Sequence, residues 1–131
     1  MREKAEASLI SIEDGYARFS PKGFVTHVSL AALLEQVMAE CHEAGHNRLL
    51  VDTRALEHAP LSGVDRYEFG AAVAEFWDRS ILLAMLVRPD QQDPERFGQK
   101  VAQNRGLFVE TFTDEAPAKA WMKRPPELKI P

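Results

Sequence analysis

Seven consecutive apolar residues, Ile81 to Val87, constrain this chain more than any other feature. A run so short and so uniform reads as a strand covered on both faces, and such strands belong to parallel sheets flanked by helices. Leu49-Leu50-Val51, closed by Asp52, is a second strand of the same kind. Between them lie a loop, 53–62, and a helix opening at Gly63, whose stripe is Phe69, Val73, Phe76 and Trp77. Gly70, Ala71, Ala72 and Ala74 are small neighbours that permit close approach to a sheet. Ligands and partners dock where a parallel strand ends and the next helix begins, so Arg48 to Phe76 is the stretch in which to look for a site.

The rest of the chain fits the same alternation. Residues 7–12 and 16–19 flank Asp14-Gly15, which supplies the positive-φ position of a tight hairpin, so the chain opens with an antiparallel pair. Thr26 or Ser29 is placed to cap a helix carrying Leu30, Leu33, Leu34, Val37, Met38 and Cys41 on one face, with Gly45 as its stop. Ser62, three residues before Asp65, is a capping pattern for the second helix. Asp93-Pro94-Glu95 starts a third helix with Phe97, Val101 and Ala102 inward, ended by Gly106. Leu107 to Phe112 is the last strand, and Thr113-Asp114-Glu115 caps a final helix whose Ala118, Trp121 and Met122 seal the core edge. The expected architecture is α/β: a mostly parallel five-stranded sheet with an antiparallel opening strand and about four helices. One domain, 1–124, is expected, followed by an irregular tail, 125–131.

Composition narrows the function classes. A net charge of −4 and a pI near 5.6 argue against nonspecific nucleic-acid binding, which needs a basic face to displace counterions. The lone Cys41 forms no intrachain disulfide, which fits a reducing compartment. Arg2, Glu3, Lys4 and Glu6 precede any long apolar stretch, unlike a signal peptide, and seven apolar residues cannot span a bilayer. A cytoplasmic protein without membrane insertion is expected.

Four short segments in fixed order carry a resemblance: Gly23-Phe24-Val25-Thr26 before the first helix, Leu50-Val51-Asp52-Thr53-Arg54 at the central strand, Ala102-Gln103-Asn104-Arg105-Gly106 before the last strand, and Phe112-Thr113-Asp114 with Ala120-Trp121 at the end. Together they make the chain similar to the STAS-like fold of the sporulation anti-sigma-factor antagonists and the sulfate-transporter regulatory domains. More closely, the chain resembles the small stand-alone bacterial proteins of that superfamily. The antagonists carry Asp-Ser-Ser-Gly at the start of the second helix, with the first serine phosphorylated by a partner kinase. Here the corresponding residues are Pro60, Leu61, Ser62 and Gly63, so Leu61 stands at the acceptor position. The resemblance implies a noncatalytic module that works by contact with a protein or a small ligand.

The residues with chemical potential are few. Cys41, His42 and His46 do not share a helical face, so no metal site is expected from them. Asp52, Arg54, His58 and Ser62 approach one rim of the sheet, joined by Arg88, Asp90, Gln91 and Gln92 from the loop after the next strand. Ser62, His58 and Asp52 are the residue types of a hydrolytic triad, but no Gly-x-Ser-x-Gly elbow accompanies them. Asn104-Arg105-Gly106 lies at the opposite rim as a turn, and Trp77 and Trp121 read as core or interface anchors. No cofactor signature is present. The expected binding surface is therefore Asp52, Arg54, His58, Leu61, Ser62, Gly63 and Val64, with Arg88 and Asp90 beside it. Its occupant is a protein partner, or alternatively an acyl or phosphorylated metabolite held at the N-terminus of the second helix. A homodimer is compatible with a domain of this size, although no self-complementary seam is visible.

Overall fold

The opening hairpin forms where Asp14 and Gly15 both take positive φ, 48° and 87°. This turn matches the twist of its two strands, β1 (Ser11–Glu13) and β2 (Tyr16–Phe19). The structure is a computed structural model that describes residues 8–123, so the charged N-terminal residues and the expected tail, 125–131, lie outside the described residues. The remaining elements, in order, are β3 (Gly23–Phe24), α1 (His27–Ala44), β4 (Arg48–Asp52), β5 (Leu56–Glu57), α2 (Gly63–Phe76), β6 (Leu82–Leu86), α3 (Phe97–Asn104), β7 (Val109–Phe112) and α4 (Glu115–Lys123).

Five strands form the main sheet in the order β1-β2-β4-β6-β7, antiparallel at the first pair and parallel throughout the rest. The register places Leu49 beside Leu83 and Leu50 beside Ala84, so the apolar sets alternate between two faces. On one face Ala17, Phe19, Leu49, Val51, Leu83 and Val109 pack under α1, α2 and α3 through Leu34, Val37, Cys41, Val73, Ala74 and Ala102. On the other, Tyr16, Leu50, Ala84 and Leu86 meet Ala118 and Met122 of α4. Phe112 and Trp121 stack at its margin, ring centroids 6.0 Å apart. The uniform run at Ile81 to Val87 is thus explained, because β6 is central and covered on both sides.

The cap of α1 uses both expected residues. Thr26 Oγ1 accepts from the Ser29 N–H and Ser29 Oγ accepts from the Thr26 N–H, at 3.0 and 2.9 Å. Gly45 ends the helix at φ 82°.

Three local expectations are corrected. The third helix starts at Phe97, not at Asp93: Asp93 accepts from the N–H groups of Glu95 and Phe97 in a turn that sets Arg96 at φ 52°, and Phe97 is exposed rather than inward. The small residues of α2 serve a helix as well as the sheet, since Gly70 lies against the backbone of Gly98 in α3. The segments around Gly23 and Leu56, for which no strand is expected, pair as a small parallel sheet, Gly23 with Leu56 and Phe24 with Glu57, extended by a 2.9 Å bond from Val25 N–H to Glu57 O. That sheet ties the segment entering α1 to the loop after β4, and so builds the rim described next.

Candidate functional site

Two neighbourhoods meet where β4 and β6 end. The first is a charge network on the α4 side. Asp52, only 9% exposed, accepts from the Arg54 N–H, from Arg54 Nε and Nη2, and from Arg18 Nη2, at 2.7–3.0 Å. Both guanidinium groups then reach Glu115 at the start of α4, Arg18 at 3.0 Å and Arg54 at 2.9 Å. Burial alone would push the Asp52 carboxyl up, but the Arg54 and Arg18 bonds outweigh it and hold it below the usual carboxylate range. Hydrogen bonding from Arg18, with Lys119 and Arg54, lowers Glu115 as well. These groups satisfy one another and knit β2, β4 and α4 together.

The second neighbourhood is a recess on the α1–α2 side, with a volume of about 130 Å³. Its wall is apolar: Val25 and Leu30 from the entry into α1, Leu56 and Leu61 from the loop, Phe69 from α2, and Met85 and Val87 at the end of β6. Thr26, His27, Thr53, His58 and Gln91 complete it. The loop over it is fastened from behind. Arg88 Nη1 donates to the carbonyls of Arg54 and Leu56 at 2.6 and 2.9 Å, and Gln91 Nε2 donates to the Thr53 carbonyl at 2.9 Å. Asp90 in turn holds the Arg88 guanidinium at 3.0 Å.

At the start of α2, Ser62 Oγ accepts from the Asp65 N–H, and an Asp65 carboxylate oxygen accepts from the Ser62 N–H, each at 3.0 Å. This backbone bond from Ser62 is the main reason the Asp65 carboxyl sits below its ordinary range. Ser62→Ala is expected to cost about 1 kcal/mol, as loss of a helix cap does, read as a lowered melting temperature; unchanged stability would refute the capping role.

The residues expected at one site therefore divide. Asp52 and Arg54 belong to the charge network, Arg88 and Asp90 brace the loop, His58 and Leu61 line the recess, and Ser62, Gly63 and Val64 form the first turn of α2. Ser62, His58 and Asp52 do not form a relay: Ser62 bonds Asp65, His58 Nδ1 lies 2.9 Å from the Ala59 carbonyl, and Asp52 is held by arginines. Cys41 is fully buried, and burial pushes its thiol up to about 11, while His42 pairs with Asp78 at 2.7 Å. Sequence reasoning missed Arg18 and Glu115, which lie 97 positions apart, and it missed Phe24 and Val28. The signal available for Val28 was its position off the apolar stripe of α1.

Those two side chains change the picture of the rim. Phe24, Val28 and Val64 are 68%, 67% and 65% exposed, on β3 and the first turns of α1 and α2. The three elements that carry them also contribute walls of the recess or flank it.

Compared with solved structures, the fold matches that of an anti-sigma factor antagonist from Mycobacterium paratuberculosis, with a TM-score of 0.57, 18% identity, and coverage of 88% of this chain and 92% of that one. An uncharacterised protein from Shewanella loihica with a SpoIIAA-like fold aligns with a TM-score of 0.45 and 19% identity, covering 86% of this chain and 90% of that one. No family model and no curated protein matches the chain. The chain has a STAS-like fold, as its motif order implied. Among the described residues no helix is long and apolar enough to cross a membrane.

Proposed function

We propose that this chain is a noncatalytic cytoplasmic regulatory module that docks a protein partner on the rim formed by β3, the loop 53–62 and the first turns of α1 and α2. The observation that carries this reading is the apolar recess lined by Leu61, with the exposed large apolar side chains Phe24, Val28 and Val64 on elements that form or flank it. Large apolar side chains left exposed on such elements are a feature of interaction sites. The recess supplies the pocket that an anchoring side chain needs, and anchors of this kind carry most of an interface's energy. With Leu61 where the antagonists have their phosphoacceptor, docking here is noncovalent and constitutive at that position.

A second reading, a small-ligand carrier, is favoured by the recess itself. Cavities near 150 Å³ lined by apolar side chains hold a benzene-sized molecule. The apolar end of an acyl group fits that description better than a phosphorylated metabolite. Of the first N–H groups of α2, that of Asp65 is already taken by Ser62 Oγ, and the carboxylates of Asp65 and Glu68, which would repel a phosphate, face the same side as His27.

The test is affinity capture from the source organism with the wild-type chain and with a Leu61→Asp, Val64→Asp double variant, followed by native mass spectrometry. The partner is expected to be lost, with affinity falling about 100-fold, the equivalent of about 3 kcal/mol. Val64 projects into solvent and Leu61 is half-buried, so the double variant is first shown by its melting curve to be folded. Undiminished capture by the double variant would move the docking surface elsewhere, and a copurifying small molecule seated in the recess would favour the carrier.

A further inference from the structure

We propose that His27, Asp65 and Glu68 form a binding site for a zinc-class divalent cation at the junction of α1 and α2. The three residues come from two elements that are distant in sequence. His27 is the first residue of α1, while Asp65 and Glu68, three positions apart, lie on one face of the opening turns of α2.

His27 Nε2 lies 3.1 Å from Glu68 Oε1 and 4.0 Å from Asp65 Oδ1, and the three ligand atoms all fall within 4.8 Å of one another. Zinc bonds of about 2.0–2.2 Å to nitrogen and oxygen place tetrahedral ligand atoms about 3.4 Å apart. Small rotations of His27 toward Asp65 and of the more exposed Glu68 reach that spacing. Among the described residues this is the one group of three histidine, cysteine or acidic side chains that converges so closely.

Support for the ligands comes from outside the cluster. Asp65 Oδ2 is held by the Ser62 N–H at 3.0 Å, which leaves Oδ1 turned toward His27. Metal-ligating carboxylates are oriented by this kind of outer hydrogen bond. The donor set decides the class of ion. One imidazole nitrogen with two carboxylate oxygens suits zinc and its first-row neighbours, whereas magnesium and calcium take oxygen ligands alone. Two carboxylates with a neutral imidazole carry a charge of −2, which a divalent ion balances. His27 also lines the recess, so a remaining coordination position can face water or a group entering there.

The site stands independently of the docking reading, because binding the ion needs no partner. The experiment uses the untagged full chain, stripped of metal, titrated with zinc chloride by calorimetry and in competition with a chromophoric chelator. One equivalent should bind with micromolar affinity, and magnesium and calcium should not bind at millimolar concentration. His27→Ala and Glu68→Gln should each weaken binding by about tenfold or more, while His42→Ala should leave it unchanged. Absence of zinc binding at millimolar concentration, or binding that His27→Ala and Glu68→Gln leave intact, overturns the proposal. Cobalt substitution, followed by its visible bands, reads the same ligand set in any variant whose affinity falls out of range.

Discussion

Asp52→Ala is expected to lower the stability of this chain by about 3 kcal/mol, read as a reduced urea midpoint at neutral pH. Breaking one side of a buried ion pair leaves the opposite charge in a poorly solvated place, at a typical cost of about 3–5 kcal/mol. The lower end applies here because Arg54 is partly exposed and can turn toward water, and Glu115 stays to pair both guanidiniums. Arg18 has less freedom, being largely buried beside Asp52. The carboxyl of Asp52 is held below its unfolded value of about 3.9. Its contribution to stability is therefore complete above that unfolded value and is lost as the pH falls through the folded one. Wild-type stability should decline on acidification below about pH 5, and Asp52→Ala should flatten that decline, leaving only the part due to Glu115 and other lowered carboxyls. An unchanged midpoint, or an acid slope identical to the wild type, would contradict the network as drawn.

What could be read from sequence was what periodicity and local caps determine. The stripe from Leu30 to Cys41, the uniform run at β6, the Asp14-Gly15 turn and the Ser62–Asp65 cap all depend on residues a few positions apart, and all appear in the structure. The small sheet of β3 and β5 left no such trace. Each strand is two residues long, and what joins them is backbone pairing across a gap in which α1 intervenes. The start of α3 was misplaced because an Asp-Pro-Glu sequence favours a first helical turn, yet Asp93 here closes a separate turn through two N–H groups. The site was legible as a place and not as an arrangement. The end of β4 and the start of α2 were identified, but only the folded register turns Asp52 toward Arg18 and α4, and His58 and Leu61 toward the recess. His27 was invisible for the same reason. Its chemistry depends on Asp65 and Glu68, which the packing of α1 on α2 brings to it.

Gly70→Val is expected to be the most damaging single change in the helices, costing about 3 kcal/mol or more. A Cβ at position 70 would stand 2.5 Å from the Gly98 carbonyl oxygen and 3.2 Å from two further backbone atoms of Gly98. Nothing there is a flexible side chain that could swing aside, so α2 and α3 must separate. Helix propensity alone favours alanine over glycine by about 1 kcal/mol, and the clash outweighs it, so even Gly70→Ala should lose about 2 kcal/mol net. Gly63 provides the internal contrast. A Cβ there meets nothing within 4 Å, so Gly63→Ala should be neutral or raise stability by about 0.5 kcal/mol. Calorimetric melting of the two alanine variants decides the matter, and equal stability for both would remove the close crossing from the account of the fold. The crossing also bears on function, because α2 is capped by Ser62, carries Val64 in its first turn, and has Phe69 next to Gly70 in its middle. A helix pushed off α3 at Gly70 shifts the wall of the recess at Phe69. Any partner or ligand seated there should then bind more weakly to Gly70→Ala than to the wild type, at temperatures where both remain folded.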